Sequence, residues 1–549
     1  MKTFCDAKNV KNNWKAGLTV AMVSLPLSIS LAVASKVSPT TGIITAVWAG
    51  LVAALFGGSN FNIIGPTGAL SGIIAVYALT SGVHAIALLT LMSGVFILGA
   101  YLLKLERYLI FIPSSVMHGF TLGVAFIIGF NQFNYAFGLK NIPQHKQFFA
   151  NVVESLRHIN ELSWIALIIF ASFFCGLLLL RALTPKIPGA IVLAPIGIAI
   201  GFASKLAFVP VRVQTLGDEF FAIRFKFFEH PAFVWSSQLI GTAAIVALIA
   251  ILETMLSAKI ADTMTHTKHD ARKEMLGLGL ANLVSGFVGG MPATAALART
   301  SLNIKAHATH KCAATINVFF IVILSLFFLA YFTYIPLAVI AAILVYVAVQ
   351  MIEAHHFVTF FKYERINFWV ALAVAAATIG KNPMVGILLG ATISLIVVIE
   401  KISQGQCDIK ISKRNGDVCD KSADILMYSM KGKLCYINSG AHVARFERDF
   451  GKYNYIIVRL QEIYFIDLDG ITALDEIIAC AERRGQTIMI SSVFPSALTL
   501  LEQASFGYKK LQKNGLIFKR TQDALTYLEE HYQIALHKKT VVHSTVPLG

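Results

Sequence analysis

The stretch "IIGPTGAL", residues 63–70, sits in the middle of a long apolar region, and a second, "GGMPATAAL", residues 289–297, sits in another. Gly and Pro are poor material for the middle of a helix. A membrane core has no water to satisfy a broken backbone. A full span needs about 20 apolar residues. Pro66 to Thr80 is short of that, and Pro292 to Asn303 is shorter still. Each reads as a half-span helix entered through a proline, which is favoured where a missing N–H costs nothing. Kinked full helices or plain loops are the alternative.

The rest of the chain says what the breaks are set in. Of 549 residues, 56% are hydrophobic and 14% charged. Soluble chains carry about 25% charged residues, so this is an integral membrane protein. The formal net charge of +16 fits cytoplasmic Lys and Arg beside anionic lipid. No nucleic-acid-binding pattern accompanies it, and nucleic acid is not expected as a partner. The seven cysteines show no CxxC pairing. Neither a disulfide framework nor a metal site is expected from them. The polar, basic N-terminus precedes a first span that reads as retained rather than cleaved.

Apolar runs predict spans near 16–35, 42–57, 63–78, 83–103, 113–136, 161–181, 188–207, 237–258, 273–290, 293–304, 311–331, 335–352, 366–380 and 383–400. Fourteen spans put both termini on one side. Short loops with Lys104 and Arg107, with Lys259, Lys268, Arg272 and Lys273, and with Lys362 and Arg365 then share the side of the N-terminus. The positive-inside rule makes that side the cytoplasm. The expected segments are a cytoplasmic N-terminus (1–15), a transmembrane domain (16–400), a polar linker (401–424), a soluble domain (425–535) and a C-terminal tail (536–549). In the soluble part, strand-like "YNYIIVRL" and "QTIMISSV" alternate with the helical "GITALDEIIACAERRG", an α/β pattern.

The two breaks fall in the third and tenth spans, seven apart. Two repeats of seven spans each must have opposite orientations. Such an inverted repeat brings both breaks to the midplane from opposite sides, with their helix N-termini facing. Unpaired N–H groups and two positive dipole ends then surround one point, which is an anion site. Thr67 would add a hydroxyl, Gly68 and Ala69 their amides, and Ala295, Ala296 and Leu297 theirs. Arg299 would add positive potential, because an intramembrane Arg needs a cavity or a partner. Snorkelling, or a pair with Glu253, is its alternative role. Glu253, among apolar residues of "AIVALIAILETMLSAKIAD" (244–262), is a candidate proton-binding group. A structural hydrogen bond to Thr or backbone is the alternative. His266 and His269, His307 and His310, and His355 and His356 read as solvated loop histidines. No Walker A, HExxH or GxSxG motif points to an ATP-driven pump or an enzyme.

The stretches at 25–43, "LPLSISLAVASKVSPTTGI", at 63–73, 252–262 and 289–304 resemble the sulfate permease family of anion transporters. "VRLQEIYFIDLDGITAL", 458–474, resembles the core of the STAS domain that this family carries. The resemblance implies fourteen transmembrane segments as a seven-plus-seven inverted repeat, split into core and gate domains, with a cytoplasmic α/β STAS domain. It implies secondary transport of small anions in the cell (inner) membrane, with no cofactor and as a homodimer. Sulfate, bicarbonate and dicarboxylate all stay open, as do proton symport, exchange and channel-like conduction. The family's substrate-lining positions match Leu27, Leu31, Thr67 and Ala298. Its sodium-coupled bicarbonate branch has Asp at the position of Glu253, with a hydroxyl one turn on. Ser257 keeps that hydroxyl as a possible ion-site group. In STAS domains that switch by phosphorylation, the residue after the Asp is Ser or Thr. Here Leu468 follows Asp467, and Asp469 and Gly470 come next, so a constitutive docking or folding role is expected.

Overall fold

In the computed structural model, described residues are 6–107, 113–139, 142–143, 145, 148–184, 189–206, 213–220, 227–229, 234–381, 383–403, 406–412, 425–451, 453–532 and 542–545. They divide into two compact units, Met1–Ile393 and Ser394–Gly549.

A helix stands at each of the fourteen expected spans. They are α1 (Ala7–Ala34), α2 (Pro39–Phe56), α3 (Gly68–Ser81), α4 (Ile86–Leu102), α5 (Ser114–Asn131), α6 (Trp164–Leu183) and α7 (Gly189–Lys205). The second set is α8 (Leu239–Thr265), α9 (Ala271–Phe287), α10 (Leu297–Lys305), α11 (Cys312–Phe332), α12 (Leu337–Met351), α13 (Arg365–Gly380) and α14 (Pro383–Ser403). Among the described residues, eight helical segments are long and apolar enough to cross a membrane. α3 and α10, with 14 and 9 residues, are the truncated ones. α1 begins earlier than expected, because Asp6 caps it by accepting from the Lys8 amide. Apolar side chains such as Leu183 and Phe327 point outward, as a lipid-facing surface requires.

Packing repeats with a period of seven helices. α1 lies on α11 as α8 lies on α4, α2 on α11 as α9 on α4, and α5 on α13 as α12 on α6. This is the inverted repeat, and it separates α1–α4 with α8–α11 from α5–α7 with α12–α14. The α4–α9 contact is close enough to need glycine. A Cβ on Gly94 would stand 2.6 Å from the Leu283 amide nitrogen, and one on Gly286 2.6 Å from that of Leu91. Small residues let helices approach in this way where no hydrophobic force drives them together.

Two short strands, β1 (Ile64–Gly65) and β2 (Thr294–Ala295), pair antiparallel, Ile64 opposite Ala295 and Gly65 opposite Thr294. β1 leads into α3 and β2 into α10, so the two helices leave this pair in opposite directions.

The soluble unit has strands β3 (Gln406–Ser412), β4 (Ile425–Leu434), β5 (Tyr455–Ile466), β6 (Thr487–Ser491), β7 (Ile517–Phe518) and β8 (Val542–Thr545) in the order β7-β6-β5-β4-β3-β8. β4 to β7 are parallel, and β3 pairs antiparallel with both neighbours. β3 lies within the expected linker 401–424, and β8 within the expected tail 536–549. The remainder of those segments, apart from the helical end to Ser403, lies outside the described residues, as do residues 1–5. Helices are α15 (Ser439–Asp449), α16 (Leu468–Arg483), α17 (Pro495–Ala504), α18 (Phe506–Lys513) and α19 (Thr521–Tyr532). Strand alternation explains the two layers. Leu426, Tyr428, Ile456, Val458, Ile488 and Ile490 join the core containing Phe446 and Leu474. Ile425, Ile457 and Met489 face the other way, onto Ala524 and Leu528 of α19. Asp467 caps α16, accepting from the Gly470 amide at 2.8 Å and the Tyr436 amide at 3.1 Å. Leu468 stands exposed.

Candidate functional site: two half-helix ends held by a strand pair

The chain before α3 is pinned by a buried acid. Glu274 of α9 accepts from the amides of Gly58 and Ser59 through Oε2 (2.7 and 2.8 Å) and from Asn62 Nδ2 through Oε1 (2.6 Å). Accepting three donors is what a carboxylate does well. Thr300 Oγ1 accepts from the Ile63 amide at 3.2 Å, and Asn303 Nδ2 donates to the Phe61 carbonyl at 3.0 Å. The chain before α10 is pinned in a parallel way. Asn282 of α9 donates to the Ala293 carbonyl and accepts from the Ala293 amide, both at 2.9 Å. Thr45 of α2 accepts from the Met291 amide at 2.8 Å. Every irregular stretch in an apolar interior needs such partners. Here α9 supplies them to both breaks.

The helix starts themselves are left uncapped. Thr67 is the N-cap residue of α3, yet its hydroxyl makes no cap bond. It donates instead to Glu253 Oε2 at 3.1 Å. The N-cap residue of α10 is Ala296, which has no polar side chain to offer. The first-turn amides of both helices therefore keep the orphan donors and partial positive charge of an open N-terminus. The β1–β2 pair holds the two ends together.

This places the expected site residues, and it corrects two. The Ala295 amide donates to Thr254 Oγ1 at 3.1 Å, and the Ala296 amide to the Ile63 carbonyl at 3.3 Å. Both are spent on holding the breaks, so neither is a donor for an anion. At α10 the open donors begin at Leu297. Ala298 is exposed, whereas Thr67, Gly68 and Ala69 are buried. A Cβ on Gly68 would meet Ile128 Cδ1 at 2.8 Å, Met351 Sδ at 3.3 Å and Leu31 Cδ2 at 3.9 Å. Leu31 of α1, Ile128 of α5 and Met351 of α12 thus cover the α3 end. Leu27 lies one turn before Leu31 and is buried too.

Arg299 is 2% exposed, which rules out snorkelling. Its Nη2 donates to the Pro66 carbonyl, crossing from one break to the other. A Cβ on Gly65 would stand 2.8 Å from Nη1, so glycine there makes room for the guanidinium. Arg299 and Glu253 also interact electrostatically. Glu253 takes the Thr67 hydrogen bond, the alternative expected for it. Ser257 is committed elsewhere, donating to Asn62 Oδ1 at 3.0 Å with Thr300 Oγ1 at 3.1 Å. Glu274 and Asn282 were invisible in the sequence as site builders, because their partners are remote in the chain.

A cavity of about 330 Å³ runs along α3 beyond the site. Gly72, one turn past Gly68, lies on its wall, as do Lys36, Gln238, Thr242 and Lys381. Lys36 Nζ donates to the Tyr135 hydroxyl at 3.0 Å.

Residues 10–375 match the sulfate permease family and residues 418–524 the STAS domain. A Bacillus subtilis (strain 168) protein named "Putative sulfate transporter YvdB" is 28% identical over 502 residues, covering 90% of this chain and 93% of its own. The bicarbonate transporter BicA of Picosynechococcus sp. is 26% identical over 427 residues, covering 73% and 72%. Among solved structures, the murine Solute Carrier 26 family member A9 anion transporter in the inward-facing state superposes with a TM-score of 0.82 at 16% identity, over 97% of this chain and 93% of that one. The transmembrane domain of a cyanobacterial BicA superposes with a TM-score of 0.61 at 23% identity, over 70% and 98%. The chain belongs to the sulfate permease family of transporters, a multi-pass membrane protein and not an enzyme, and it carries a STAS domain after its transport domain.

Proposed function

We propose that the chain is a secondary active transporter that binds a small anion between the N-termini of α3 and α10 and moves it together with a proton. The observation that carries this is the antiparallel β1–β2 pair, which joins two uncapped helix ends in the interior. Gly68, Ala69, Leu297 and Ala298 contribute amides, and Leu27 and Leu31 an apolar wall. The Thr67 hydroxyl, which donates to ionised Glu253, is free to donate to the anion once Glu253 is protonated and donates to that hydroxyl instead. Arg299 supplies positive potential. Relatives named for sulfate and for bicarbonate transport support both anions as candidates, and dicarboxylate stays within the same chemistry.

Glu253 supports proton symport because it is wired to the site. The Thr67 hydroxyl at the head of α3 is its hydrogen-bond partner. Protonation removes the negative charge beside an incoming anion, and the anion's arrival favours the protonated acid. The two binding events then help one another. The termini and the STAS domain lie in the cytoplasm by the charge bias of the short loops, in the cell membrane, with the protein a homodimer. Uncoupled exchange is the competing reading. Proteoliposome uptake of labelled sulfate and bicarbonate under an imposed pH gradient separates the two. Wild-type uptake is expected to accelerate with the gradient and E253Q to lose that acceleration. Gradient-independent uptake in both would refute coupling at Glu253.

A further inference from the structure

Away from the anion site, three side chains converge between α5 and the chain that leaves α12. His118, in the second turn of α5, is 5% exposed. Its Nδ1 lies 2.9 Å from Glu353 Oε2, and His356 Nε2 lies 3.7 Å from the same oxygen. The two imidazoles stack with centroids 4.2 Å apart and planes 23° from parallel, and Phe360 leans on His118 at 5.8 Å. Glu353 and His356 are three residues apart at the start of the short helix Ala354–Tyr363, so both face one way. Glu353 holds the N-cap position there, but its carboxylate makes no cap bond. It reaches across to α5 instead.

One ligand atom from each residue lies within 4.8 Å of the other two. A tetrahedral zinc ion with bonds of about 2.0–2.1 Å sets its ligand atoms roughly 3.3 Å apart. The separations of 2.9 and 3.7 Å straddle that value. Because the two rings are stacked, His356, the more exposed of the two, must turn its ring so that its in-plane lone pair meets that of His118 at one ion. Two imidazoles and one carboxylate suit zinc and its neighbours, not the oxygen-seeking calcium or magnesium.

We propose that His118, Glu353 and His356 form a site for a divalent transition-metal ion of the zinc class, with three protein ligands and a fourth position open to water. The ion ties α5 to the end of α12. Met351, two residues before Glu353, is the residue whose sulfur covers Gly68. Metal binding therefore restrains one wall of the proposed anion site without touching the anion. The three ligands hold the metal whatever anion is transported.

The test uses the full chain, purified in detergent and stripped with a chelator. Zn²⁺ is titrated against a chromophoric competitor, and the protein loaded with one equivalent is examined by X-ray absorption. The expected result is one tight ion per chain, with two imidazoles and an oxygen in its shell. H356Q and E353Q should each weaken it by at least the about 10- to 100-fold that even outer-shell partners cost. H269Q, which alters the separate His269–Asp262 pair, should bind as wild type does. Size-exclusion profiles establish that the variants fold, and the wild-type absorption spectrum needs no variant. No tight binding by wild type, equal affinity in H356Q and E353Q, or a shell without two imidazoles would each overturn the site.

Discussion

Removing the Glu274 carboxylate is the sharpest perturbation of the scaffold under the anion site. The acid takes three hydrogen bonds of 2.6 to 2.8 Å, two of them from backbone amides. In E274A these donors are buried with no acceptor, and each such loss costs about 1–3 kcal/mol. The total is about 3–9 kcal/mol. E274Q is milder. Its carbonyl can keep the Gly58 and Ser59 amides, while its NH₂ faces Asn62. Turning the Asn62 amide over would offer an oxygen to that NH₂, at the loss of the 3.3 Å bond from Asn62 to the Thr254 carbonyl and of the Oδ1 acceptor that Ser257 uses at 3.0 Å. The cost is then those two bonds and the charge assistance, about 2–3 kcal/mol. Thermal unfolding in detergent reads the difference. At about 1 °C per kcal/mol for a unit of this size, E274A should melt at least about 3 °C below wild type, with E274Q between them. Because the clamped segment leads into β1, E274A should also lose anion uptake more than E274Q does. An E274A protein that melts with wild type would refute the claim that this acid holds the first break.

Two further outcomes probe the transport and soluble units separately. G68A puts a methyl 2.8 Å from Ile128 Cδ1 at the head of α3. Ile128 Cδ1 ends a flexible side chain that can turn aside cheaply, so the protein should fold as wild type does, while the added methyl crowds the head of α3 and uptake should fall. Unchanged uptake would place the anion elsewhere. In the soluble unit, burial and then the neighbouring Arg445 push His442 down to about 4. The unfolded chain, with the histidine at its ordinary 6.5, binds the extra proton between those values. Stability of this unit is therefore full above pH 6.5 and falls by about 1.4 kcal/mol per pH unit toward pH 4. An NMR titration of the His442 ring with a midpoint near 4 is expected; a midpoint near 6.5 would contradict its burial against Tyr428.

Much of the fold was legible because its causes are local. Fourteen apolar runs became fourteen helices, and the Pro and Gly residues at 65–68 and 289–292 marked the breaks. The STAS signature located a helix capped by Asp467. What stayed hidden depends on partners distant in sequence. Ala295 and Ala296 resembled free donors because nothing near them reveals the strand opposite or the Thr254 hydroxyl. Glu274 binds amides 216 and 215 residues away. Its neighbours in "ARKEMLGLGL" suggested only a helix start. His356 read as a solvated loop residue, since His118 belongs to another span. The strand at 406–412 looked like linker because its sequence is polar, and it became ordered by pairing with β4.

The most direct test of the anion site is to see an anion in it. Crystals or frozen-hydrated particles of the protein with selenate or bromide, whichever competes for uptake, would locate the heavy atom, by anomalous scattering in the crystal. Density is expected within hydrogen-bond reach of the amides at Gly68 and Ala69 on one side and Leu297 and Ala298 on the other. Density confined to the cavity beside Lys36, with those amides unoccupied under conditions that saturate transport, would contradict it.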